Sequence, residues 1–357
     1  MVVYSADRVG KAELTRHLLQ HREQWIDLYD TEHLSSALLR RTTRYVLLFW
    51  PQLLVRVRLA KRNLWPETFA LLGQSALECN DTEMAMLAYE WLIDDAGAGV
   101  SWGLPITWHV FPRCACPPRT MMSTTTAEVA FFLLELERRH GCVGHETLRR
   151  IGLGLLNGLH RVIDDGQRLQ FAYTPYPGEP VNNANLLVAS ALWGIGGHTK
   201  CEELMTMAER TLLTCLSGLD PSGGITYFRG RDIVDSYHQL FSMRALYAMR
   251  DIDSVVDIWF ARTIRFLERT FFDDRGGLLV RVDRPFYDMH ASAEALRLYR
   301  AIGDSENYER VYRHIRRDLT HGGRYVQRAW ITRQGLIHSN VLFTRQGSAR
   351  LALGVEP

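Results

Sequence analysis

The sequence predicts an all-α fold, an (α/α)6 toroid of about six helix pairs with short β-hairpin excursions on one face. Two observations carry this prediction. Apolar residues recur at the i, i+3, i+4 and i+7 spacing of amphipathic helices along most of the 357 residues. A polar helix start also returns about every 50 residues, each time after a short extended segment. A single helix pair cannot bury its apolar faces alone, whereas stacked pairs can close into a ring.

The predicted helices account for most of the chain. They cover residues 67–91, as one long helix or a closely joined pair, and then 124–140, 145–163, 185–195, 202–216, 238–249, 254–271, 291–302 and 306–319. Side chains suited to N-caps precede several of them, at Asn80-Asp81, Asp253-Ser254 and Asp304-Ser305. Glycines suited to helix ends stand at Gly196-Gly197 and Gly303. We predict one toroid domain over residues 1–357, in which residues 1–64 can form an N-terminal helical extension.

Strand-like segments are confined to the connections, at 171–175, 225–228 and 278–282, and each follows a turn rich in Asp, Gly or Ser. The next helices begin near Asn185, His238, His290 and Asn340, in steps of 53, 52 and 50 residues. A fainter start lies at Ser123, and residues 12–91 can supply a sixth pair. An open superhelix such as a tetratricopeptide array is the alternative, but its repeats are nearer ~34 residues and lack long excursions.

Composition excludes several function classes. The net charge of +2 comes from 42 basic and 40 acidic side chains, which argues against a nucleic-acid binder. Only Lys11, Lys61 and Lys200 are lysines, so few candidates exist for Schiff-base chemistry. The remaining basic residues are arginines, whose forked guanidinium suits acidic substrates.

The cysteine spacing gives no disulfide framework, and we expect all six thiols to be free. Cys114 and Cys116, followed by Cys142 and His145, could be metal ligands, but C-x-C is not the C-x2-C of a zinc knuckle. The sequence therefore predicts no metal and no other cofactor.

Residues 1–30 lack the apolar core of a secretory signal, so a cytoplasmic protein is expected. The longest apolar stretch, Tyr45 to Ala60, is broken by Pro51 and by Arg56 and Arg58, and it is short of the ~20 residues of a membrane span. Basic residues flank it within 40–62. A core helix is favoured there over a helix that rests on a membrane surface.

Six phrases, taken in order over residues 65–350, resemble a known family. They begin at Trp102 (Trp-Gly-Leu-Pro-Ile-Thr-Trp), Ser123 (Ser-Thr-Thr-Thr), Tyr173 (Tyr-Thr-Pro), Asn182 (Asn-Asn-Ala-Asn-Leu-Leu), Val234 (Val-Asp-Ser-Tyr-His) and Asp288 (Asp-Met-His-Ala). The set is similar to the (α/α)6-toroid glycan-processing proteins, which include heparosan glucuronyl C5-epimerases and exopolysaccharide-biosynthesis proteins. Three positions depart from the pattern: Thr107 replaces an Asp, Ser236 replaces an Asn, and Gln239 replaces a Thr.

The resemblance implies an enzyme that modifies a glycan, in its sharpest form a uronyl C5-epimerase, or a lyase that shares its first step. Such an enzyme needs a base and an acid to move a proton next to a carboxylate, and groups that hold the resulting charge. The proton-transfer candidates are Tyr173, Tyr237, His238 and His290. Amides suit sugar hydroxyls, aromatic rings stack on sugar faces, and a guanidinium binds the carboxylate of a uronate. The binding candidates are Trp102, Trp108, His109, Asn182, Asn183, Asn185, Asp235, Arg281 and Asp288.

Structural roles are the alternative for each group, since aspartates cap helices, amides fill turns and aromatic rings pack. At the level of function, the main alternative is a non-catalytic glycan-binding or assembly component of a polysaccharide-export system, beside polysaccharide-synthesis machinery. A terpene-cyclase-like or protein-prenylating toroid requires a DxDD-type motif or a zinc site, and the sequence has neither.

Overall fold

A computed structural model describes residues 11–20, 28–30, 37–46, 49–50, 57, 61–96, 100–111, 114–227, 234–339, 350–351 and 354. These residues are mostly helical, with small antiparallel sheets in the connections. The chain divides into two compact units. Unit 1 contains Met1–Leu87, Pro105–Thr107 and Asp273–Pro357, and unit 2 contains Ala88–Leu104 and Trp108–Phe272.

The described helices are close to those predicted. They are α1 (Lys11–Gln20), α2 (Ala37–Val46), α3 (Pro66–Glu78), α4 (Thr82–Asp95), α5 (Ser123–His140), α6 (His145–Gly158), α7 (Asn182–Thr199), α8 (Glu202–Leu216), α9 (Ser236–Ala248), α10 (Ser254–Phe271), α11 (Met289–Ile302) and α12 (Ser305–Asp318). The predicted stretch 67–91 is a joined pair, because Asp81 caps α4 by accepting the Met84 N–H at 3.2 Å. Among the described helices, none combines the length and the apolar character needed to cross a bilayer.

The strands form short antiparallel sheets between the helices. β1 (Leu28–Asp30) pairs with β2 (Lys61–Asn63), β3 (Trp108–Phe111) with β4 (Cys114–Cys116), β5 (Arg161–Asp164) with β6 (Leu169–Phe171), and β8 (Thr320–His321) with β9 (Arg324–Tyr325). A three-stranded sheet has the order β11 (Gly335–His338), β10 (Arg328–Thr332) and β7 (Phe286–Asp288).

Several local predictions were wrong. Residues 161–163, predicted to end a helix, lie in β5, which pairs back onto β6. No strand forms at 225–227, and 228 lies outside the described residues. Within 278–282, isolated bridge residues at 278 and 279 take the place of a strand, and Leu279 pairs with Tyr287. The predicted helix start at Asn340 also lies outside the described residues.

In unit 2, α7 is the inner helix. It packs against α5, α6, α8 and α9, and all residues from 182 to 192 are buried. The helix does not end at Gly196, as the sequence predicts, but runs on to Thr199, where Lys200 adopts the left-handed conformation. Gly196 instead permits close packing, because a Cβ there would lie 2.8 Å from the Met205 Cγ.

In unit 1, α3 is buried from residue 66 to residue 77. α1 packs on α3, and the hydroxyls of Thr15 and Ser75 are 2.8 Å apart. The guanidinium of Arg350 is fully buried and forms ion pairs with the carboxylates of Glu67 and Glu294. Removal of a charge from water is costly unless an opposite charge meets it, so these three side chains depend on one another.

Candidate functional site

Three helix starts of unit 2 lie at the same end of that unit. The backbone N–H of Ser123, at the start of α5, donates to the Tyr173 carbonyl at 3.0 Å. The N–H of Asn182, at the start of α7, donates to the Tyr227 carbonyl at 3.2 Å. The Tyr227 ring in turn contacts the ring of His238 in α9. Each extended segment therefore joins one helix start to the next, as the repeat predicts for this part of the chain.

An aspartate and a histidine are paired at the start of α9. One carboxylate oxygen of Asp235 accepts the backbone N–H of His238 at 2.9 Å, and the other lies 2.7 Å from His238 Nδ1. An ionised carboxylate only accepts hydrogen bonds, so Nδ1 carries the proton and Nε2 keeps its lone pair. The His238 side chain is 28% exposed. This geometry produces an oriented imidazole that can act as a general base.

Tyrosine rings surround the imidazole of His238. The Tyr227 ring lies 4.7 Å away at 65°, and the Tyr237 ring lies 5.3 Å away at 72°. Burial raises the pKa of the Tyr227 phenol, and the negative charge of Asp235 adds to the effect. The phenol of Tyr227 thus keeps its proton at neutral pH. Tyr173, a proton-transfer candidate, shares a 2.7 Å hydrogen bond with the Thr124 hydroxyl.

The three candidate asparagines at the start of α7 have different roles. Asn185 is used entirely within the fold, because it accepts the Phe171 N–H at 2.7 Å and donates to the carbonyls of Phe171 and Val181. Asn182 donates to the Thr226 carbonyl at 2.9 Å. Asn183 is 5% exposed, and its Oδ1 has no hydrogen-bond partner among the described residues. Asn183 is therefore the amide with capacity for a ligand.

The two tryptophan candidates differ in solvent exposure. Trp102 is only 1% exposed, and its indole N–H donates to the Leu92 carbonyl at 2.8 Å. Its ring belongs to the core of unit 2 and has no face for a sugar, which corrects its assignment as a binding residue. Trp108, at the start of β3, is 37% exposed and keeps an open surface. The side chain of His109, in the same strand, lies outside the described part of the chain.

The remaining candidates lie in unit 1. Asp288 caps α11 by accepting the His290 N–H at 2.9 Å, and it also accepts Arg328 Nε at 2.9 Å. Arg281 holds Asp283 with two hydrogen bonds of 2.8 and 2.6 Å, so a uronate would have to displace that local partner.

His290, the histidine among the proton-transfer candidates of unit 1, has a strongly lowered pKa. Burial lowers the pKa of His290 to about 4, although the nearby charge of Asp288 works in the opposite direction. The imidazole is therefore neutral at neutral pH, and it can exchange hydrogen bonds more readily than it can take up a proton.

Two buried polar groups were missed by the sequence analysis. In unit 2, Glu128 of α5 pairs with Arg244 of α9, and the guanidinium lies 5.5 Å from the Phe131 ring. The available signal was a lone acidic residue within the apolar stripe of α5. In unit 1, the imidazole of His314 bonds the carboxylate of Asp318 at 2.9 Å, and burial lowers the pKa of that imidazole.

A surface cavity of about 520 Å³ lies elsewhere in unit 2, on α10 and the turn that precedes α9. None of the site candidates lines it. Its lining residues are Pro221, Ser222, Arg262, Arg265, Phe266, Arg269 and Thr270.

Comparison with known proteins gives a likeness of fold. No protein family and no curated protein matches the sequence. A sugar epimerase from a ruminal bacterium is 14% identical, covers 81% of this chain and 85% of its own, and superposes with a TM-score of 0.58. The cellobiose 2-epimerase of Bacillus thermoamylovorans is 12% identical with the same coverage and a TM-score of 0.59. A glycosyl hydrolase family 88 protein from Bacteroides vulgatus is 11% identical, covers 88% and 95%, and reaches 0.57.

These likenesses establish the fold class that the sequence predicts. The chain has the (α/α)6-toroid fold, with mostly helical structure and small sheets in the connections. At identities of 10–16%, these similarities support the fold assignment alone, and the chemistry has to be inferred from the residues of this chain.

Proposed function

We propose that this protein is a carbohydrate-active enzyme that abstracts a proton from a sugar carbon, with a uronate-containing glycan as substrate. The observation that carries the proposal is the Asp235–His238 pair at the joined helix starts of unit 2. The similar solved structures include a sugar epimerase and a cellobiose 2-epimerase, so the fold accommodates sugar epimerisation.

The proposed reaction begins at C5 of the uronate. The C5–H bond breaks, His238 Nε2 takes the proton, and the electron pair moves into the adjacent carboxylate as an enolate. Asp235, 2.7 Å from Nδ1, stabilises the imidazolium that forms. Return of a proton to the opposite face of C5 gives the epimer, whereas loss of the 4-O substituent gives the lyase product.

Groups at the same end of unit 2 are proposed to complete the site. Tyr173 and Tyr237 are the proposed acids, since a phenol can return a proton to the face away from His238. The NH2 group of Asn183 is proposed to donate to the enolate, and its Oδ1, which has no partner among the described residues, is proposed to accept a sugar hydroxyl. Trp108 is the proposed stacking surface for a sugar ring.

Incubation of the protein with uronate-containing polymers in heavy water tests this proposal. We expect deuterium at C5 with the wild-type protein and with His140→Gln, an exposed histidine at the end of α5. We expect none with His238→Gln. Equal deuterium incorporation by His238→Gln would remove His238 from the proposed reaction.

A second candidate function is glycan binding without turnover, within a polysaccharide-export system. Thr107, which replaces the Asp of the family pattern, favours it. Binding of the polymer without any deuterium at C5 would support this candidate over the enzyme. Co-purification with polysaccharide-synthesis machinery would then be the next measurement.

A further inference from the structure

Three side chains meet at one end of the unit 2 helices, and the candidate site lies at the other end. Glu137 lies near the end of α5, His145 begins α6, and His198 lies near the end of α7. Each offers one ligand atom, and these atoms all lie within 4.8 Å of one another. Asn182 and His198 lie at opposite ends of α7, which at 1.5 Å per residue separates them by about 24 Å. The group is thus separate from the helix starts.

The carboxylate of the group is held in place by the turn between α5 and α6. Its Oε2 accepts the N–H of Val143 at 2.8 Å and the N–H of Gly144 at 2.9 Å. A carboxylate fixed by two backbone hydrogen bonds is an oxygen ligand whose orientation costs little on binding.

The two imidazoles are adjacent, but no hydrogen bond among the described residues ties them to the carboxylate. Their ring centroids are 4.7 Å apart at 55°. Nε2 of His198 is buried and has no hydrogen-bond partner in the described part of the chain. Nε2 of His198 is therefore the atom that this imidazole can offer to a metal ion.

We propose that Glu137, His145 and His198 bind a divalent transition-metal ion of the zinc class. Two imidazoles and one carboxylate are a common zinc ligand set, with a fourth position for water. Ligands of a tetrahedral zinc ion lie about 3.4 Å apart. A shift of at most about 1.4 Å would bring the present group, whose atoms lie within 4.8 Å, to that spacing. His145 is exposed and can make such a shift without disturbing the core.

The ion would join one helix–turn–helix segment to a third helix end more than 50 residues later in the sequence. It would connect the end of α5 and the first residue of α6 to the end of α7, which follows only after the β5–β6 hairpin. Neither cysteine of the C-x-C motif takes part, because the group uses His145 with Glu137 and His198. The spacing of these three ligands along the chain matches no compact zinc motif, so the sequence alone predicts no metal here.

Calorimetric titration of the full chain with Zn²⁺ tests the proposal. We expect one equivalent to bind, no heat with Mg²⁺, and a tetrahedral absorption spectrum when Co²⁺ replaces Zn²⁺. His145→Gln and His198→Gln should each weaken binding by roughly 100-fold or more, because loss of a second-shell partner alone costs 10–100-fold. His140→Gln, which changes an exposed histidine outside the group, should bind as wild type does.

Misfolding of His145→Gln can be distinguished from loss of a ligand, because His145 is exposed and circular dichroism can verify that the variant keeps its helices. Wild-type affinity in a folded His145→Gln variant would overturn the proposal. An equal loss of affinity in His140→Gln would also overturn it, because it would identify the bound zinc as adventitious. Absence of Zn²⁺ binding by the wild type would overturn it as well.

Discussion

The starts of α9 and α11 are similar in sequence, but their aspartates are used differently. Asp235 is three residues before His238, and its two oxygens bond the backbone and the ring of that one histidine. Asp288 is two residues before His290, and it bonds the backbone N–H of that histidine and the side chain of Arg328. One extra residue of spacing lets the carboxylate reach the imidazole.

The difference in spacing distinguishes the proposed reactive arrangement from a structural one. His238 is partly exposed between tyrosine rings, with Nε2 directed away from its carboxylate partner. His290 is buried with a pKa of about 4, and Asp288 joins α11 to the sheet formed with β10. We therefore expect chemistry at the start of α9 and stability at the start of α11.

The largest expected effect is on turnover at the start of α9. His238→Gln should lower kcat for deuterium exchange at C5 by about 10²–10⁴-fold, the usual contribution of a general base. The unfolding midpoint should change little, because the backbone cap from Asp235 remains. His290→Gln should retain most of the activity. The reverse result, with His290→Gln inactive and His238→Gln active, would transfer the site to α11.

The largest expected effect on stability is at the start of α11. Asp288→Ala should lower the free energy of unfolding by about 3 kcal/mol, because it removes a cap and leaves Arg328 without its main counter-charge. Urea denaturation measures this loss. Asp283→Ala, which removes an exposed partner of Arg281, is the matched control and should leave the free energy of unfolding nearly unchanged. Equal losses in the two variants would contradict the structural role of Asp288.

His290 should also make stability depend on pH. Its pKa is about 4 in the folded chain and ~6.5 when unfolded, so between these values the unfolded state binds more protons. Stability should therefore fall as pH decreases from about 6.5 to about 4, by no more than about 3 kcal/mol from this residue. Urea denaturation at pH 7 and pH 4.5 should show a smaller loss in His290→Gln than in the wild type. An identical loss in both would exclude His290 as the cause.

Only a small effect on stability is expected from Asp235→Asn. Asparagine caps helices about as well as aspartate, so the free energy of unfolding should change by less than about 1 kcal/mol. Turnover should fall nonetheless, because a neutral amide stabilises the imidazolium of His238 less than a carboxylate does. Thermal denaturation and the deuterium assay, run on the same sample, separate the two effects. Unchanged turnover would reduce Asp235 to a cap.

The helices could be predicted because their apolar spacing is a local property. The cap at Asp81 and the left-handed Gly303 are also local, and both occur where the sequence predicts them. The sheet of β7, β10 and β11 was not predicted, because its register pairs Asp288 with Arg328, which lies beyond two intervening helices in the sequence. Gly196 was mistaken for a helix end, because its close contact with Met205 depends on how α7 and α8 pack.

The candidate site was predictable as a set of residue types but not as an arrangement. The pairing of Asp235 with His238 follows from spacing along a helix start, whereas the Tyr227 ring reaches His238 only through the tertiary fold. Trp102 was also misassigned, because a sequence motif does not reveal that its side chain is only 1% exposed in the fold. The Glu137, His145 and His198 group depends entirely on where three helices begin and end.

The buried ion pairs of Arg350 have a consequence for protein synthesis. Glu67 leaves the ribosome 283 residues before Arg350, a delay of roughly 15–60 s at ~5–20 residues per second. Unit 2, which is nearly continuous in sequence, is complete before that delay ends. Glu67 and Glu294 gain their ion pairs with Arg350 only when it emerges, and burial of a carboxylate before its counter-charge arrives is costly. The core of unit 1 therefore closes last, and a nascent chain stalled before residue 350 should expose it to chaperones and proteases.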